Sequence, residues 1–91
     1  MKKLSEIAKK AIATPYRVYS TVFDGFSFSI YWDTMHGWFE CCMLYSPSYS
    51  GKTYIYGYTV EQFIENAKAQ IAEDKKIYTD GGRFPENYYE R

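Results

Sequence analysis

The stretch YRVYSTVFDGFSFSIYWD, residues 16–33, decides the fold. Apolar and polar side chains alternate on both sides of Asp24-Gly25, the rhythm of half-buried strands. Asp-Gly between two such runs marks a two-residue hairpin turn, because both central residues must take positive φ. That loop pairs Phe23 with Phe26, Thr21 with Phe28, Tyr19 with Ile30 and Arg17 with Trp32, on one sheet face.

Downstream, Asp33-Thr34-Met35-His36-Gly37 reads as a turn and Trp38–Tyr45 as a third strand. With Asp33 opposite Trp38, Trp32 meets Phe39, Ile30 meets Cys41, Phe28 meets Met43 and Phe26 meets Tyr45. The third strand thus falls into phase with the first two without adjustment. The expected core face carries Tyr19, Phe23, Phe26, Phe28, Ile30, Trp32, Phe39, Cys41, Met43 and Tyr45. The opposite face carries Val18, Ser20, Val22, Ser27, Ser29, Tyr31, Asp33, Trp38, Glu40, Cys42 and Leu44, the mixture of an uncovered antiparallel face. After a loop at 46–52, Thr53–Tyr58 alternates again and reads as a fourth strand at an edge. The length of the loop leaves its register open.

At Thr59 the period changes from two to helical spacing. Thr59 and Gln62 fit the N-cap and N3 positions of a capping box, with Tyr58 and Phe63 in the staple positions. Val60, Phe63, Ile64, Ala67 and Ile71 form the apolar stripe of a helix over about residues 60–75, which Thr79-Asp80-Gly81-Gly82 breaks. At the other end, Leu4, Ile7, Ala8, Ala11 and Ile12 give a helix over about residues 3–13, stopped before Pro15. Only one sheet face is apolar enough to receive both helices. The expected architecture is therefore α+β, a two-layer sandwich: N-terminal helix, antiparallel meander of three to four strands over about residues 16–58, C-terminal helix, and a tail at 79–91.

Ninety-one residues predict a single domain. Aromatics make up 21% of the chain and eleven residues are Tyr, more than so small a core can hide, so several rings must meet water. Exposed Tyr is favoured at recognition surfaces, where it offers rigid area with a polar tip. Net charge is zero, against a dedicated nucleic-acid binder. Lys2, Lys3, Lys9, Lys10 and Arg17 nevertheless make the first helix basic, ahead of an acidic body. Cys41 and Cys42 are adjacent and point to opposite faces of a strand, so no disulfide is expected between them. Glu6, Lys9 and Lys10 interrupt any signal-like apolar run, and no stretch suits a membrane span, which predicts a cytoplasmic location.

Chemical motifs are thin. His36, the one histidine, would have to reach Cys41, on the order of 16 Å away along an extended strand at ~3.3 Å per residue. Asp33, His36 and Glu40 are too sparse a set for a metal, and Asp33 reads better as a cap on its own turn. Glu61 and Glu65 read as solvated helix charges, and Gly81-Gly82-Arg83 is not a phosphate cradle. The expectation is no catalytic residue, no metal, no cofactor and no small-molecule substrate.

Residues 57–67, Gly57-Tyr58-Thr59-Val60-Glu61-Gln62-Phe63-Ile64-Glu65-Asn66-Ala67, resemble the strand-to-helix turn of HicB-type antitoxins, where a "GDT-x-EEA-x-xNA" stretch follows a short sheet. Gly57, Thr59, Glu61, Asn66 and Ala67 carry the match, over about an eighth of the chain; it implies shared supersecondary structure. The order helix, strands, helix also resembles a double-stranded RNA-binding domain, but Glu61 and Glu65 stand where that family places phosphate-gripping lysines. In size and layout the chain resembles small phage inhibitors of host defences, anti-CRISPR proteins among them. That resemblance implies a non-enzymatic, protein-binding inhibitor.

The functional expectation is a protein-binding module that docks its second sheet face on a larger protein or on a second copy of itself. The residues expected to carry it are Tyr31, Trp38, Glu40, Leu44, Tyr54 and Tyr56, with Trp38 and Tyr31 as anchors. The alternative is a nucleic-acid-binding or antitoxin-like regulatory protein using the sheet aromatics and the basic N-terminal helix.

Overall fold

The computed structural model describes residues 2–44 and 52–80, and side chains up to residue 76. The order is α1 (Lys2–Ala13), β1 (Tyr19–Phe23), β2 (Phe26–Asp33), β3 (Trp38–Leu44), β4 (Lys52–Gly57) and α2 (Val60–Asp80). The four strands form one antiparallel sheet in the order β1-β2-β3-β4, with both helices on one face: an α+β arrangement.

The hairpin forms as its sequence dictates. Asp24 and Gly25 take φ of 56° and 84°, and Tyr19 pairs with Ile30 through to Phe23 with Phe26. The β2–β3 register also follows the phase argument, from Asp33–Trp38 to Ser27–Leu44. The fourth strand, whose register the sequence left open, sets Cys41 opposite Ile55 and Glu40 opposite Tyr56. Tyr45, the tail from residue 81 and most of the loop before β4 lie outside the described residues.

The core is one cluster. Leu4, Ala8 and Ala11 of α1 and Phe63, Ala67 and Ile71 of α2 close over Phe26, Phe28, Ile30, Phe39, Cys41, Met43 and Ile55. Each fully buried Phe contributes on the order of 2–3 kcal/mol. Phe39 sits at the centre, with Trp32 edge-on at 4.7 Å and Phe63 at 5.4 Å between ring centroids.

The strand-to-helix turn is fixed by Gly57, Thr59, Gln62 and Asn66. Gly57 is buried against α2; a Cβ there would lie 2.5 Å from both N and Cα of Phe63. Thr59 Oγ1 accepts the N–H of Gln62 at 3.0 Å, and Gln62 Oε1 accepts the N–H of Tyr58 at 2.7 Å. Asn66 Nδ2 donates to the Tyr56 carbonyl at 2.6 Å. That bond occupies a carbonyl of the edge strand β4, and Lys3 Nζ does the same for Val22 on β1 at 3.2 Å. Both sheet edges are thereby made poorer templates for strand addition.

Five local expectations are corrected. Strand β1 begins at Tyr19 rather than Tyr16, because Tyr16 takes φ of 66° after Pro15; Arg17 leaves the ladder and rests its guanidinium 5.3 Å from the Tyr19 ring centre. Ile12 is 40% exposed, one position off the buried line of Leu4, Ala8 and Ala11. Tyr58 and Phe63 form no staple: with Gly57 facing inward, strand alternation sends Tyr58 to the other face, while Phe63 enters the core. The helix α2 continues to Asp80, past the break expected at Thr79. Its buried stripe also extends one turn further, to Asp74, whose Oδ1 accepts from Gln70 Nε2 at 2.9 Å.

Candidate functional site

The sheet face turned away from the helices is lined with rings. Both helices pack on the other side, and Tyr16 and His36 reach onto this face from outside the strands. Alternation along β2, β3 and β4 delivers Tyr31, Trp38, Glu40, Cys42, Leu44, Tyr54 and Tyr56 to this side. Every residue expected to carry docking is therefore on one face, and Phe28 and Phe39 are buried behind it.

Trp38 is not a bare anchor. His36 lies flat on its indole, with centroids 4.6 Å apart and planes 5° from parallel. Tyr56 and Tyr58 meet it edge-on at 5.5 Å and 6.0 Å. Its Nε1 is buried with no hydrogen-bond partner among the described residues. Half-buried Trp38 thus organises this end of the surface, and among the strand and turn rings Tyr54, Tyr56 and Tyr58 meet water, at 56%, 44% and 60% exposure, as does Tyr16 at 51%. Val18 and Val22 extend this exposed area along β1 and the segment before it.

Tyr16, which the sequence did not single out, joins from outside the sheet. Its ring centre lies 6.2 Å from that of Tyr31, and its hydroxyl donates to Asp33 Oδ1 at 2.8 Å. No signal of composition or period marks it: the left-handed φ that lays it against the turn after β2 is a choice rare for tyrosine.

Asp33 is consumed by its turn. Oδ1 accepts the N–H of Met35 at 2.9 Å and of His36 at 3.1 Å, while Oδ2 meets His36 Nδ1 at 2.6 Å. The His36 side chain foremost, with the Tyr16 hydroxyl and the His36 N–H, holds its carboxyl down at about 2 against the opposing effect of burial. Among the described residues no group of three His, Cys, Asp or Glu could hold a metal ion.

Glu40 occupies the middle of the face, with Tyr31 opposite on β2 and Tyr56 opposite on β4. The Tyr31 hydroxyl donates to Glu40 Oε2 at 2.7 Å. That bond first, then burial, then the charges of Glu40 and Asp33, push the Tyr31 hydroxyl up to about 12. Val18, Ser29, Tyr31, Glu40, Cys42 and Tyr54 line a depression of about 220 Å³ beside it.

Both cysteines are free thiols, divided by the strand as expected. Cys41 is buried in the core, which pushes its thiol up to about 12, so it is no thiolate nucleophile at neutral pH. Cys42 floors the open-face depression. None of the described helices is long and apolar enough to cross a membrane. Comparison of the chain with protein-family models, with curated proteins and with solved structures finds no match in any of the three.

Proposed function

We propose that this chain is a small non-enzymatic binding module whose open sheet face docks on a larger protein. One observation carries the reading: tyrosines 54, 56 and 58 stand exposed together on the face opposite both helices, with half-buried Trp38 packed against Tyr56 and Tyr58. Tyrosine side chains lose little entropy on being covered and bring area with a hydrogen-bonding tip, the chemistry of binding hot spots. Obstructing a partner's surface, as small phage inhibitors do, is the use that size and layout suggest.

A larger partner fits better than a second copy. Two copies meeting face to face about a central twofold axis would bring Glu40 against Glu40, which opposes closure. A nucleic acid fits less well for the same reason: the carboxylate lies among the rings on which bases would stack.

Affinity capture from the cells that make the protein tests this, using the native chain, Tyr54→Ala/Tyr56→Ala and a helix-surface control, Lys68→Ala, all with matched folding. A protein retained by the native chain and the control but lost by the double variant, with shallow salt dependence, is the expected result. Retention by the double variant, or a steep salt slope with co-purifying nucleic acid, overturns the reading.

A further inference from the structure

Resting on that docking reading, we infer that the depression beside Glu40 receives a basic side chain, arginine or lysine, carried by the protein partner. The depression has one ionic wall and two aromatic ones. Glu40 supplies the charge, and Tyr31 and Tyr54 rise on either side, above Ser29 and Cys42.

The chemistry of each wall favours a cation. Glu40 spends Oε2 on the Tyr31 hydroxyl, and Oε1 takes no hydrogen bond among the described residues. A carboxylate half-covered by rings gains from an opposite charge more than a fully solvated one does, because less of its field is screened. The tyrosine faces add attraction for a cation placed over them, and arginine's planar fork can stack and hydrogen-bond together. The Tyr31–Glu40 bond holds both groups in position before the partner arrives.

The surrounding charges agree. At one end of the face lies the Asp33 carboxylate, its Oδ2 met by His36 Nδ1 at 2.6 Å. Arg17 has turned to Tyr19 at the β1 edge, and Lys52 stands at the far rim, opposite Leu44. The centre is therefore acidic and aromatic together, a combination complementary to a basic residue and unfavourable to phosphate.

Panning a random displayed-peptide library on the full chain tests the inference. Enriched peptides should share an arginine or lysine. Replacing that arginine with citrulline should weaken binding about tenfold, and Glu40→Gln, which keeps an acceptor for Tyr31, should weaken it by a similar factor. Binders that lack a basic residue but are lost with Tyr54→Ala would overturn this inference and leave the docking face standing. A library that yields no binder, or binders indifferent to both Glu40→Gln and Tyr54→Ala, overturns the inference and the docking reading alike.

Discussion

The hydroxyl of Tyr31 donates to Glu40 Oε2 at 2.7 Å, across a register in which the two residues are direct partners. It ties β2 to β3 on the side away from the core and holds the one central charge of the open face among its rings.

The pair has a titration signature. The Tyr31 hydroxyl is pushed up to about 12, foremost by its bond to Glu40. A raised folded-state value means the bond's contribution is complete below the ordinary tyrosine range near ~10 and is lost as pH rises through about 12. Tyrosine ring-carbon NMR should find Tyr31 among the last to ionise, and Glu40→Gln should return it toward the ordinary value. An unmoved Tyr31 in that variant would contradict the assignment.

Asp33 predicts behaviour at the acid end. Its carboxyl sits at about 2, below the ordinary 3.8, so it stabilises the fold above that ordinary value and loses the contribution as pH falls toward 2. Asp33→Asn should lower the melting temperature at neutral pH and flatten the acid limb of the stability curve. Thermal melts from about pH 7 down to about pH 2 read both effects. A variant whose curve parallels the native one shows that the turn does not depend on the charge.

Two glycines separate a packing requirement from a conformational one. Alanine at Gly57 would set its Cβ 2.5 Å from backbone atoms of Phe63, forcing β4 and α2 apart; the expected loss is about 3 kcal/mol or more. Alanine at Gly37 meets nothing within 4 Å but must adopt φ of 72°, at a cost of about 1 kcal/mol. Urea denaturation of the two variants should rank them in that order, and equal losses would refute the close approach.

Trp38 and Tyr54 should part company between stability and binding. Trp38→Ala removes a half-buried indole and three ring contacts, so it should cost about 2 kcal/mol and loosen Tyr56 and Tyr58. Tyr54→Ala changes an exposed ring and should stay within about 0.5 kcal/mol of the native chain. Calorimetric melting checks both. The effect of Tyr54→Ala on a partner is therefore the cleaner reading of docking.

The meander was legible because three constraints coincided: the Asp24-Gly25 turn, the two-residue period, and the short link from Asp33 to Trp38. A slip of one residue between β2 and β3 would have put Phe28 and Phe39 on opposite faces. What the sequence concealed depends on long loops and rare backbone choices. The loop before β4 fixes no register, so the pairing of Glu40 with Tyr56 emerged only in three dimensions. The left-handed Tyr16 and the inward Gly57 set where Tyr16 and Tyr58 point, and neither is marked by a hydrophobic period. All six residues assigned to docking do share one face, but the half-burial of Trp38 under His36, Tyr56 and Tyr58 is a tertiary outcome. Asp74 escaped because an acidic residue at the end of a helical stripe reads as solvated, yet it is only 3% exposed.

Site-specific photocrosslinking in the cells that make the protein tests the docking face most directly. A benzophenone amino acid is placed at Tyr54 on the open face in one chain and at Lys68 on the exposed side of α2 in another. The account predicts a discrete protein adduct from position 54, diminished by Glu40→Gln, and none from position 68. An adduct from position 68 alone, or none from either, would contradict it.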